Sequence, residues 1–295
     1  MNYKPPYTIT SKILTLVSEL SQKIGEISAI RKPQRDLKLR KINQVKTIRG
    51  TLAIEGNTLD ESHITAILEG KRILAPQREI LEITNAIKVY DNFDNLNYKN
   101  ENDFLDIHKT LMMGLVDEIG TYRSGSVGVM SGNDVIHVAP PSSKVPSLMS
   151  DLFSWLSQTS EHPIITSCVF HYEFEFIHPF SDGNGRMGRL WQSLILSQWN
   201  EIFSYIPVES IVYEHQQDYY KAIKESTDKA DCYPFIEFML EMLMLAISDI
   251  TPQVMPQLTP QVKQVLKALG KSELSRQEIQ EKIGLKDRIA FAKNL

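Results

Sequence analysis

Residues 178–189 read HPFSDGNGRMGR, which places an imidazole, a carboxylate, three glycines, an asparagine and two guanidiniums within twelve positions. His178 precedes a proline, which disfavours helical backbone at the residue before it, so the imidazole stands at the end of a helix and faces the loop beyond. That loop contains Asp182-Gly183-Asn184-Gly185, a turn whose glycines permit positive φ and close backbone approach. Arg186 then opens a helix that buries Leu190, Leu194, Ile195 and Trp199 on one side. A glycine turn feeding a helix N-terminus offers unpaired N–H groups and the positive end of a dipole, an anion site whose usual guest is phosphate. Arg186 and Arg189 share a helical face, and two guanidinium forks beside one turn point to a polyphosphate. Asp182 is a hard oxygen ligand of the kind a phosphate-bridging Mg²⁺ takes. Histidine is the one side-chain type here whose ordinary pKa suits a general base near neutrality, which makes His178 the candidate. Each residue alone has a plainer role as a structural hydrogen-bonder, a surface turn or a solvated face; the ordered conjunction favours chemistry.

The stretch resembles the signature of the Fic family, His-Pro-Phe-x-Asp/Glu-Gly-Asn-Gly-Arg-x-x-Arg, with every fixed position filled. The resemblance implies a mainly α fold, a helical core carrying a β-hairpin flap. It implies transfer of AMP from ATP to a Ser, Thr or Tyr hydroxyl of a target protein, or of the chain itself. His178 would deprotonate that hydroxyl and Asp182 would hold Mg²⁺. Gly183, Asn184 and Gly185 would cradle the α- and β-phosphates, Arg186 the β- and γ-phosphates and Arg189 the γ-phosphate, while Phe180 anchors the loop. In-line attack at phosphorus needs mainly positioning, charge neutralisation and one base, which agrees.

Helical periodicity supplies the elements that must hold these residues. Ile13, Leu16, Leu20, Ile24 and Ile27 recur at three- and four-residue steps. A second helix is predicted from about Pro33 to Glu55, stopped by Gly56-Asn57. TLDE (58–61) has the form of a capping box opening a helix that Gly70 ends. Further helices are predicted near 76–93, 101–115, 144–158, 161–177, 186–199, 215–227 and 233–249. The second helix ends TLAIEGN, in which Glu55 alone reads as an ordinary exposed residue at an unfavourable dipole end. Beside the signature, Thr51–Glu55–Gly56 resembles the Fic inhibitory helix. The resemblance implies that Glu55 pairs with Arg189 where the γ-phosphate belongs, an autoinhibitory contact within one chain.

Valine- and isoleucine-rich runs flank SGND in 126–141, a hairpin pattern standing on its own. With TYRSG before it, the segment resembles the family flap, whose Val127, Gly128, Val129, Met130, Val135, Ile136 and His137 would dock a target strand. EHQQDYYKAI (214–223) resembles the family's tyrosine-pair helix, which puts Tyr219 and Tyr220 at the adenosine end; paired tyrosines also serve as simple packing.

The domain reading is an N-terminal helical region (1–100) with the inhibitory helix at about 34–56, a Fic core (101–249), a proline-rich linker (250–260) and a tail (261–295). The tail resembles the start of a winged helix–turn–helix that stops before its recognition helix. Eight Lys/Arg face four acids over 258–295, which suits weak phosphate contact, a solvated face or protein docking. Over the whole chain 32 Lys and Arg stand against 36 Asp and Glu, a net charge of −4, which excludes a generally electrostatic nucleic-acid binder. Cys168 and Cys232 have no metal-ligand spacing. The opening residues lack a signal-peptide pattern, and the longest apolar run, 235–247, is interrupted by Glu237 and Glu241. A soluble cytoplasmic protein, away from membranes and weakly expected to dimerise, is the resulting expectation. The competing readings are a nucleotide-sensing DNA-binding regulator, AMP removal, or transfer of another phosphate-linked group.

Overall fold

The computed structural model describes residues 3–30, 37–131 and 134–254. The chain divides into two units, 1–250 and 251–295. The tail expected to form a partial winged helix–turn–helix lies outside the described residues, as do Pro33–Asp36 at the start of the expected second helix. Among the described residues the elements are α1 (Ser11–Ile30), α2 (Leu37–Ile54), α3 (Glu61–Leu68), α4 (Gln77–Asp91) and α5 (Glu101–Met112), then a hairpin of β1 (Gly128–Ser131) and β2 (Asp134–Val138). They continue as α6 (Val145–Gln158), α7 (Pro163–Ile177), α8 (Asn184–Trp199), α9 (Val208–Glu214), α10 (Gln216–Lys229) and α11 (Tyr233–Val254). The strands are antiparallel, with Gly128 opposite Val138 and an irregularity between Val129 and Met130. Among the described residues no helix is long and apolar enough to cross a membrane.

Helix boundaries follow local chemistry. α1 buries Ile13, Leu20, Ile24 and Ile27, the stripe its period requires. α2 ends where Gly56 takes φ 90°, with Gly56 N–H donating to Ala53 and Asn57 N–H to Leu52. α3 begins later than the TLDE pattern suggests. Its cap is Asp60, whose carboxylate accepts from the Ser62 and His63 backbone N–H groups, because Thr58 is engaged by Glu79 Oε2 through both its N–H and its hydroxyl. α11 runs to Val254, five residues into the stretch expected to be linker; proline's fixed φ is itself a helical value. α9 was not expected from periodicity.

α7 is buried on nearly all sides, including Cys168, and packs most extensively on α8. Phe104 of α5 is the hub of the core: Phe153, Phe170, Phe174, Phe180 and Trp191 all place their ring centroids 4.9–6.5 Å from it. Phe180 belongs to the loop between α7 and α8, so the core itself holds that loop down. On the other flank α2 lies against α9, and the approach is backbone on backbone. A Cβ on Gly50 would come within 2.6 Å of the Glu209 carbonyl carbon and the Ser210 nitrogen. Gly50→Ala is therefore expected to lower stability by about 1–3 kcal/mol through overpacking, read as a fall in thermal midpoint; an unchanged midpoint would mean that α2 shifts freely on α9.

Candidate active site

The loop 178–183 is closed at both ends by groups inside the chain. His178 caps α7 in the left-handed region, at φ 49° and ψ 60°, an uncommon conformation for a residue with a Cβ. Its carbonyl accepts from Arg123 Nε at 2.8 Å, and the Pro179 carbonyl accepts from the Arg123 backbone N–H at 2.8 Å. The same guanidinium, 3% exposed, also donates to the carbonyls of Gly125 and Pro140 at the two feet of the hairpin. One buried arginine thus ties the hairpin's base to the backbone of His178. The Asn184 side chain turns inward, its Oδ1 accepting from Phe180 N–H and its Nδ2 donating to Phe180 O, both at 2.9 Å. Its backbone N–H remains for an anion.

His108 lies under the loop, its ring parallel to Phe180 with 3.5 Å between centroids. Gly120 N–H donates to Nδ1, so the ring proton is on Nε2, which faces the Asp182 carbonyl at 3.0 Å. Burial lowers the His108 pKa to about 4, which keeps it in that neutral form.

The His178 side chain is 16% exposed, and Glu175 Oε2 stands 3.7 Å from its Nδ1, which makes no hydrogen bond among the described residues. That separation is electrostatic rather than hydrogen-bonding. Burial raises the Glu175 pKa, but neighbouring His178, His171 and Arg189 together outweigh it, and the group lies below its ordinary value. Glu175 is therefore a carboxylate directed at His178 from within α7.

Gly183 takes φ 86°, a value that a glycine adopts without strain, and α8 begins at Asn184, two residues before the expected start. Asp182, with its side chain 40% exposed, sits between guanidiniums: Arg186 Nη2 donates to its Oδ1 at 3.2 Å, and Arg78 Nη2 is 3.7 Å from Oδ2. Arg186 is buried, and among the described residues its Nε has no hydrogen-bond partner. A half-exposed carboxylate at the mouth of an anion site fits Mg²⁺, which takes one or two protein carboxylates and completes its shell with water and phosphate. Among the described residues no three His, Cys, Asp or Glu side chains cluster as a closed metal cage.

Arg189 is 3% exposed and its partners come from α2 and the residue after it. Nε donates to Thr51 Oγ1 and Nη2 to Thr51 O, both at 3.0 Å, and Nη2 donates to Glu55 Oε1 at 2.7 Å. Burial opposes the charge, but Glu55, Tyr219 and Glu175 together outweigh it, so the Arg189 pKa is raised. Glu55 Oε1 lies over the first turn of α8: a Cβ on Gly185 would come within 2.5 Å of it. The carboxylate at the wrong end of its own helix dipole is at the right end of another.

Of the tyrosine pair, Tyr219 is 1% exposed, with its hydroxyl 3.1 Å from His171 Nε2, and belongs to the core with Ala222, Ile223 and Ser226. Of the two rings expected at the adenosine end, Tyr219 is thus packed into the core. Tyr220 is half-buried beside Gln216, whose Nε2 reaches the Ile54 carbonyl at the end of α2 at 2.8 Å. Val127 is half-buried, whereas Gly128, Val129, Met130, Val135, Ile136 and His137 are described in their backbone alone. Reading the sequence missed Arg123, His108, Glu175 and Arg78. TYRSG holds the first of these, and nothing local marks the other three.

A model of the Fic/DOC family matches residues 98–196. A curated relative from Aedes aegypti, named protein adenylyltransferase Fic, is 30% identical over 239 residues, 75% of this chain and 45% of its own. One of the same name from Nematostella vectensis is 33% identical over 201 residues, 63% of this chain and 44% of its own. The chain spans about half the length of the curated relatives it matches. Among solved structures, a Fic family protein from Desulfovibrio desulfuricans G20 superposes with a TM-score of 0.83 at 46% identity, covering 99% of this chain and 90% of that one. Fic-1 from C. elegans (residues 134–508) superposes at 0.69 with 22% identity, covering 82% and 72%.

The Asn184 amide is the brace on which the loop depends. Asn184→Ala strips both hydrogen bonds from the buried Phe180 backbone and is expected to cost about 1–3 kcal/mol for each orphaned group. Thermal unfolding checks this; a loss well under 1 kcal/mol would mean that the aromatic core alone holds the loop.

Proposed function

The chain belongs to the Fic/DOC family, and from that premise we propose that it is an adenylyltransferase restrained by its own second helix, moving AMP from ATP to a Ser, Thr or Tyr hydroxyl of a protein target or of itself. The observation that carries the reading is the position of the Glu55 carboxylate between Arg189 and the first turn of α8. An anionic side chain in that place is what a terminal phosphate would have to displace.

In the proposed reaction the backbone N–H groups of Gly183, Asn184 and Gly185 and the N-terminal dipole of α8 take the α- and β-phosphates. Arg186, whose buried Nε is unpaired among the described residues, takes the β- and γ-phosphates. Arg189, once released by Glu55, takes the γ-phosphate. Asp182 is the residue that would hold Mg²⁺, which supplies charge neutralisation on the phosphate oxygens. His178 removes the proton as the hydroxyl oxygen bonds to the α-phosphorus, and the bond from that phosphorus to the β-phosphate oxygen breaks, so pyrophosphate leaves. Glu175 favours the imidazolium that results. Phe180 holds the loop through the core, Tyr220 is the candidate for the adenosine end, and the hairpin, tied to His178 through Arg123, is the candidate for docking an extended target segment by strand addition.

The test is mass spectrometry of the full chain after incubation with ATP and Mg²⁺. Glu55→Gly is expected to gain AMP, an added 329 Da or so by simple mass balance, at a rate at least about tenfold above that of the parent chain, which corresponds to about 1.4 kcal/mol of relieved competition. Adding His178→Ala to that variant is expected to lower the rate about 10²–10⁴-fold. Equal rates for the parent chain and Glu55→Gly would exclude the restraint, and AMP transfer without His178 would exclude it as the base.

A further inference from the structure

The Asp182 carboxylate stands at the mouth of the anion site, and on charge alone it repels phosphate. Its Oδ1 accepts from the Gly183 N–H at 2.6 Å and from Arg186 Nη2 at 3.2 Å. Its Oδ2 faces a second guanidinium from outside the 178–189 segment. This is Arg78, in the first turn of α4, whose Nη2 lies 3.7 Å away.

The two arginines are held differently. The Arg186 side chain is 4% exposed and belongs to the helix that carries the site, whereas that of Arg78 is 60% exposed. Arg78 also reaches Glu82 Oε1 from its Nε and the Leu115 carbonyl from its Nη1, both at 3.4 Å. All three contacts are longer than the roughly 2.7–3.2 Å of a well-formed N–H···O bond, so charge rather than fixed geometry keeps this guanidinium in place. Glu82 is itself anchored: its side chain is 13% exposed and its Oε2 accepts from Asn57 Nδ2 at 2.9 Å. Arg78 thus touches two carboxylates through different nitrogens, and letting go of Asp182 leaves it on Glu82. A divalent cation on Asp182 would repel both guanidiniums, and Arg78 is the one free to withdraw.

Resting on the phosphate-site reading above, we propose that Arg78 is the counter-ion that keeps Asp182 from repelling phosphate until a divalent cation takes over that carboxylate. Without the metal, Arg78 neutralises the mouth and the phosphates of a nucleotide can settle on the glycine turn. With the metal, Asp182 is already neutralised and Arg78 contributes little. Arg78 acts through Asp182, so it is a positioning residue, and its mark is an effect that depends on the metal.

The test is calorimetry on the full chain with ADP at low ionic strength, where surface charges are least screened. ADP lacks the γ-phosphate that Glu55 would exclude, so the restraint does not enter. Each titration is run in EDTA and again in saturating Mg²⁺. Arg78→Gln is expected to weaken ADP binding about three- to fivefold in EDTA, the size of an exposed ion pair, and by less than about twofold in Mg²⁺. In an Asp182→Asn background the same substitution is expected to change metal-free affinity by less than about twofold, because the carboxylate it answers is gone. A loss that is equal in EDTA and Mg²⁺, or that persists without the Asp182 carboxylate, would make Arg78 a plain phosphate contact and overturn the proposal. Unchanged metal-free affinity in Arg78→Gln, or ADP binding to the unaltered chain that needs Mg²⁺ outright, would overturn it and leave the phosphate site standing. No ADP binding at about 1 mM even with Mg²⁺ would overturn the phosphate site and this proposal together.

Discussion

The Arg189 guanidinium is a full charge in the interior, and a buried charge persists only with partners that replace water. Those partners are Thr51 and Glu55, 138 and 134 positions earlier in the chain. Satisfying one arginine therefore fixes α2 on α8, and with it the place of the Glu55 carboxylate over the first turn of α8. Gly50 lets α2 come that close, because its missing side chain is where the backbone of α9 passes. Glu55 is about one-third exposed, so the pair is partly screened and its stability is modest; a competing anion could replace it.

The loop that would handle phosphate is built differently, as a rigid object clamped from within. Phe180 is set into the aromatic core, Asn184 closes the loop on the Phe180 backbone, and His108 props the Asp182 carbonyl. Arg123 carries that rigidity to the base of the hairpin. Backbone N–H groups are worth most as an anion site when little must reorganise to present them, and these internal bonds serve that end, although the Gly183 N–H must leave Asp182 Oδ1. The same clamps offset the strain in the His178 backbone.

Much of this was legible in the residues, and the exceptions have physical reasons. His178 to Arg189 lie within one turn and one helix, so their spacing alone points to an anion site with a base beside it. The buried stripe Tyr219, Ala222, Ile223 and Ser226 has helical period and marks Tyr219 as core, a local signal that the family resemblance overrode. Glu55 was readable only through resemblance, because a glutamate after a helix gives no sign of which arginine lies across the fold. Arg123, His108 and Glu175 act through long-range contacts to backbone carbonyls and to a side chain on a neighbouring turn, and an isolated arginine, histidine or glutamate carries no mark of that. The start of α3 moved from Thr58 to Asp60 because Glu79, 21 positions on, had taken the threonine.

The central claim is that one carboxylate and one phosphate compete for Arg189. The most direct measurement is a pair of crystal structures with Mg²⁺ and a non-hydrolysable ATP analogue, one of the parent chain and one of Glu55→Gly. Competition predicts the γ-phosphate on Arg189 and over Gly185 in the variant, and its exclusion from that position in the parent chain while Glu55 stays paired. A γ-phosphate seated on Arg189 with the Glu55 contact intact would contradict it.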